Sequence, residues 1–425
     1  MGEIVLKGGK VIDKAGERIA DVLIGDNGLI TAIEEDLSAP IVIDVEGQII
    51  SSGLVDLNAD FGQPGNENSE TFVTGARSAV KGGYTAVVAM PNTHIPVDNA
   101  DTIRSLRTMT ETSLCHIEIA GAITMGCDGE QLAPISEMAA LGTKIFAGSN
   151  FESKNDLVIR RAMEYAGDYE VLLSYDCTGG HLSSHGQINE GSTSSKLGLP
   201  GIPVEDEEIT AFRLSKLAAM TGARVHLQQI STPNSVQIVD EAKSRGVRIS
   251  CEVSPHHLAL SEELVETFDA RYKVSPPLRQ QSDVESIQKQ LKEGNIDAIA
   301  TGHRPTENHL KEQPFQNAPY GTIGFETALS SAITFLQIPI GQVLNLLSWR
   351  PAEIAGLANS HGGHLVPGRP ANLTVFDPEK TWSVLGSEMA SKCSSSVFEG
   401  ILMKGLVSHT LVNGELVVIE GEVQR

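Results

Sequence analysis

The chain has 425 residues, 40% of them hydrophobic and 4% aromatic, with 41 glycines, enough for one large α/β domain and a smaller companion. Its formal net charge is −22, from 32 basic and 54 acidic residues. With no Lys/Arg-rich block, nucleic acid and anionic membrane are excluded as expected partners. Cys115, Cys127, Cys177, Cys251 and Cys393 are odd in number and form no CxxC, which reads as reduced thiols in a cytoplasmic protein.

In chain order, Met1–Lys10 reads as a short strand and turn, not a signal peptide, and no apolar run approaches membrane-spanning length. Ile4-Val5-Leu6, Val11-Ile12, Ala20–Ile24 and Leu29–Ile33 are short strands separated by glycine-containing turns. The C-terminal stretch has the same character: Ala371–Phe376 and Ser408–Val412 are strands, and Asn413-Gly414 turns into Leu416–Ile419. Residues 1–52 and 363–425 are therefore expected to meet in one composite β-domain.

Residues 53–362 alternate strand, loop and helix. Leu54–Leu57, Thr85–Met90, Ile117–Ala122, Thr143–Phe146, Val171–Leu173, Arg224–Leu227, Arg248–Val253 and Ala298–Thr301 supply the eight strands of a (β/α)₈ barrel. Apolar periodicity places a helix over Glu205–Met220. The first barrel strand ends in Asn58 and Asp60, two apart and so both directed inward at its C-terminal end. Barrel enzymes keep their chemistry at that end.

Several longer motifs carry a specific likeness. They are Ala89-Met90-Pro91-Asn92-Thr93, Asn189-Glu190-Gly191, Leu197–Pro203, Glu252–Leu258, Lys273–Arg279 and Ile296–Thr301. On these the chain resembles the dihydroorotases of the amidohydrolase superfamily over nearly its whole length. The kin are those of about 420 residues found beside bacterial aspartate carbamoyltransferases. The resemblance implies an amidohydrolase-type barrel with a small β-sandwich domain formed by both termini. It also implies cyclic-amide hydrolysis in pyrimidine biosynthesis by a zinc-bound hydroxide.

The residues that such chemistry needs are replaced position by position. The family's His-x-His falls on Asn58 and Asp60, and its bridging acid on the Phe146–Asn150 turn, where Gly148 and Ser149 stand. Its two further ligand histidines become Asp176 and Gln229, and its proton-shuttle aspartate becomes Gly302. Of the substrate-binding groups, Asn92 is retained. Gly62 replaces the carboxylate-gripping arginine, while Ser275 and Thr306 replace an asparagine and a histidine.

The reading is a chain without catalytic or metal residues and without a zinc cofactor. By resemblance it stabilises aspartate carbamoyltransferase in a hetero-oligomer, with a homodimer as a further possibility. One alternative is an active dihydroorotase or other cyclic amidase, interconverting L-dihydroorotate and N-carbamoyl-L-aspartate at an atypical metal site. Such a site would hold a hard cation on the oxygen donors of Asn58, Asp60, Asp176 and Gln229, or a metal on a carboxylated Lys144. Another is a small-molecule sensor using the emptied mouth with Arg304 as anion anchor. His256-His257, His303 and Cys177 read as structural, and His181 and His185 as solvated loop residues.

Overall fold

A computed structural model describes residues 2–148 and 155–424; Ser149 lies outside the described residues. Eight parallel strands follow one another in sequence order. The first three (Leu54–Ala59, Tyr84–Ala89 and His116–Ile119, the last continued by Gly121–Ala122) pair in succession, with two register shifts between the first and second. The next five are Ile145–Gly148, Leu172–Asp176, Arg224–Gln228, Ile249–Val253 and Ala298–Ile299. A parallel bridge between Ala59 and His303 joins the ends of the series, with the Asp60 amide donating to the His303 carbonyl at 2.8 Å. The barrel is therefore closed, as its strand pattern predicts.

Side-chain alternation sorts what is inside from what is outside. Leu173, Tyr175, Val225, Leu227, Cys251 and Val253 face the helices. Their neighbours Ser174, His226, Gln228, Ser250 and Glu252 bond within the barrel, and Asp176 ends the fifth strand on the same face. The lower interior is apolar: Val55, Leu57, Ala86, Val88, Ile145, Leu172 and Ala298 pack with Ala352, Ile354 and Leu357, which close the bottom. The helix expected over Glu205–Met220 runs from Val204 to Thr221 and is ended by Gly222, whose φ of +72° suits glycine.

The terminal strands interleave. Ile49–Ser52 pairs antiparallel with Leu373–Ser383 and parallel with Lys10–Asp13 in a seven-stranded sheet. A four-stranded sheet (Ile30–Glu34, Asp21–Ile24, Ile4–Lys7, Ile41–Asp44) packs on it. Val11, Ile50, Leu373, Val375 and Leu411 face this second sheet. Their neighbours Ile12, Ile49 and Phe376 face the barrel core. A strand with both faces buried fixes its register strongly, because a one-residue slip would exchange the two sets.

Candidate functional site: a filled barrel mouth

The polar side chains at the C-terminal ends of the strands satisfy each other. Glu252, fully buried, accepts from His226 Nε2 at 3.0 Å and from Asn58 Nδ2 at 3.2 Å. His226 Nδ1 lies 2.8 Å from Ser250 Oγ. Gln228 donates to Ser174 Oγ at 2.8 Å, and its carbonyl faces Asn58 Nδ2 at 3.4 Å. Below them Asp56 accepts from the Thr301 amide at 2.7 Å and lies 2.6 Å from Thr301 Oγ1. Burial pushes the Asp56 carboxyl up to about 8. It therefore keeps a proton at neutral pH and avoids a second buried negative charge beside Glu252.

Over this layer lies an ion pair. Arg304, on the loop after the eighth strand, donates from Nε to Asp60 Oδ2 at 2.7 Å. Asp60 in turn raises the affinity of Arg304 for its proton. Asp176 accepts from the amide and hydroxyl of Thr178, each at 2.8 Å. Burial raises its pKa, and Arg304 counters that effect. Asn58, Met90, Asn92, Gly148, Asp176, Gln228 and Arg304 enclose only about 10 Å³, about the least space that holds one water molecule.

This donor set does not fit zinc. Structural and catalytic zinc sites draw on imidazole and thiolate nitrogen and sulfur, with carboxylate in support; the lining here offers amides, carboxylates and a guanidinium. The guanidinium is a fixed cation that repels a dication. Among the described residues, no group of three or more His, Cys, Asp or Glu side chains is placed to hold a metal.

The other sequence positions fall as follows. Gly302 has φ +59°, and a Cβ built there would overlap Gln229 Nε2. Gln229 itself has φ +46°, which turns it off the strand, so Gln228 rather than Gln229 lines the mouth. Gly62 has φ +67°, and a Cβ there would overlap Ser69 Oγ. The turn that this glycine permits is closed by Asn66 N donating to Gly62 O at 2.7 Å. Thr306 is buried and donates to the Tyr320 carbonyl at 3.2 Å. Ser275 is half-buried and lines neither the inner space nor the vestibule above it. Asn92 is exposed and borders both. Lys144 precedes the fourth strand, at the end opposite the mouth, and donates to Gly356 O at 3.2 Å.

His303 is fully buried and stacks on Phe325 at 4.1 Å. Its Nε2 is 3.5 Å from Glu70, whose carboxylate also takes hydrogen bonds from Thr74 and Ser391. Burial works against ionising Glu70, yet these partners hold its carboxyl below the usual range. His256 and His257 are buried and in ring contact at 4.5 Å, and His257 donates to Pro276 O at 3.1 Å. Burial pushes the His257 pKa down to about 4 and that of His256 well below the usual value. Burial likewise raises the Cys177 thiol well above its usual value, leaving it un-ionised. His185 is exposed.

Residues of the Asn189–Gly191 and Lys273–Arg279 motifs assemble outside the inner space of the mouth. Arg279, 1% exposed, donates to Ser231 Oγ at 2.9 Å and Asn189 Oδ1 at 2.7 Å and pairs with Glu207 at 3.4 Å. Asn189 donates to Glu262 Oε2 at 2.6 Å, and Thr193 to Glu262 Oε1 at 2.6 Å. At the other end of the Lys273–Arg279 motif, Lys273 Nζ caps the Phe315 and Gln316 carbonyls. Lys311 Nζ caps those of Ala270 and Lys273.

Burial lowers the Lys311 pKa from 10.5 to about 7. Between those values the unfolded chain carries the extra proton, so stability rises with pH across that window. Urea midpoints at pH 7 and pH 9 should show that rise, and Lys311→Met should flatten it. An equal slope in the variant would remove Lys311 as the source.

A closed barrel carrying a two-sheet domain built from both chain ends defines the class. L-Hydantoinase (dihydropyrimidinase) from Arthrobacter aurescens shares it with a TM-score of 0.90 at 22% identity, over 100% of this chain and 98% of its own. A D-hydantoinase gives 0.87 at 20%, over 99% and 96%. At those identities the likeness is one of fold.

The sequence comparisons narrow the class. The model of the family described as dihydro-orotase-like matches residues 47–235. The dihydroorotase of Thermoanaerobacter sp. (strain X514) is 37% identical over 421 residues, covering 97% of this chain and 96% of the relative. That of Streptomyces coelicolor (strain ATCC BAA-471 / A3(2) / M145) is 36% identical over 433 residues and the full length of both. The chain belongs to the dihydroorotase-like family.

Proposed function

We propose that this protein is a non-catalytic member of its family that acts as a structural partner of aspartate carbamoyltransferase. The observation that carries the first half is the Asp60–Arg304 ion pair seated over a mouth with about 10 Å³ of free space. Among the described residues the inner space is too small for a ring-sized substrate, and the wider vestibule of about 540 Å³ above it is bordered by the same Asp60 and Arg304. The partner follows from the resemblance set out above. What supports it is the selective survival of scaffold: Asn189, Lys273 and Arg279 keep buried roles, while the mouth has been refilled.

The second reading, an active dihydroorotase with an atypical site, is favoured by the names of relatives 36–37% identical over the full length. Turnover of dihydroorotate separates the two, and mixing the purified protein with aspartate carbamoyltransferase from the same organism tests the partnership. A partner role predicts a joint species by size exclusion with light scattering, and a longer thermal half-life of the transcarbamoylase. Separate elution with an unchanged half-life would reject the partnership.

A further inference from the structure

Strands one and five stand four places apart in a ring of eight, so their ends lie on opposite sides of the barrel axis. Asp60 follows the first and Asp176 ends the fifth. Arg304 comes from the eighth-strand side, its backbone fixed by donation to Thr322 O at 2.8 Å. Its guanidinium bonds Asp60, and Arg304 and Asp176 line the same inner space of about 10 Å³. One positive charge thus faces carboxylates from opposite walls of the mouth. Asn58 and Gln228 line the same space with amide groups. The pair is neither fully buried nor free, at 31% exposure for Arg304 and 23% for Asp60.

We propose that Arg304 is a built-in cation that ties the strand ends together across the mouth. The native mouth is on this account already complete and indifferent to divalent ions. Removing the guanidinium leaves the Asp60 and Asp176 carboxylates unopposed, oxygen donors suited to a hard cation such as calcium rather than to zinc. Arg304→Lys keeps the charge and loses the fork. The proposal rests on the non-catalytic reading only in taking the native mouth to be metal-free.

The test is thermal unfolding of the full chain in millimolar calcium chloride, against sodium chloride of matched ionic strength. Arg304→Gln should lower Tm by about 1–3 °C, and calcium should restore it. The parent and Arg304→Lys should show no calcium response, and Asp60→Asn added to Arg304→Gln should abolish it. If Arg304→Gln does not fold alone, refolding in calcium should recover it. An unchanged Tm in Arg304→Gln overturns the proposal, as does a parent that responds equally. So does a response that survives Asp60→Asn, or a failure of calcium to recover an unfolded variant. The non-catalytic reading is tested separately, by zinc content and turnover of the parent protein, so either can fail alone.

Discussion

Arg279→Met is expected to destabilise the chain by about 3–5 kcal/mol, the usual cost of removing one partner from a buried ion pair. The side chain has 1% exposure and makes contacts with Glu207, Ser231 and Asn189. Its loss strands the Glu207 carboxylate, which already accepts from the Ser231 amide at 3.0 Å and the Thr232 amide at 2.9 Å. Burial alone would raise the Glu207 pKa, but Arg279 and these donors hold it below 4.5. Its contribution is therefore complete above about pH 4.5 and is lost as pH falls through the lowered folded value. Urea unfolding at pH 7 measures the loss. A change within 0.5 kcal/mol, typical of surface substitutions, would contradict the view that this motif carries the scaffold.

Gly302→Asp, which supplies the aspartate that the family resemblance sets at that position, is expected to cost about 2–4 kcal/mol and to yield no turnover. Two causes add. A side chain at φ +59° is strained, and the new Cβ must displace Gln229 Nε2. The carboxylate also arrives in a mouth whose cation is committed to Asp60. Gly302→Ala carries the strain and the overlap without the charge, so the difference between the two isolates the carboxylate. Equal stability of Gly302→Asp and the parent, or dihydroorotate turnover in the variant, would show that the mouth is not locked.

The frame was legible because its signals are local. Strand alternation separates Leu173 and Tyr175 on the helix-facing side from Ser174 and Asp176 inside. The Asn413-Gly414 turn and the glycine after Thr221 set their own boundaries. The residues at the positions where the resemblance sets the family's ligands were also readable, since each is a matter of residue identity. How the mouth is filled was not. Asp60 and Arg304 are 244 positions apart, and only closure of the ring brings them together. Nothing local marks Glu70 as a buried partner of His303 either.

Alternation did hold one further clue. In Arg224–Gln228 the residues sharing the inner face are His226 and Gln228. Alignment to the family's histidine selects Gln229, which the positive φ turns against Gly302.

A refilled mouth is expected not to perform the family's reaction. The most direct measurement is the steady-state interconversion of L-dihydroorotate and N-carbamoyl-L-aspartate by the purified chain, with and without added zinc and then with a chelator. Rates at the uncatalysed background are expected in every condition. Turnover that rises with zinc and disappears with the chelator would contradict it.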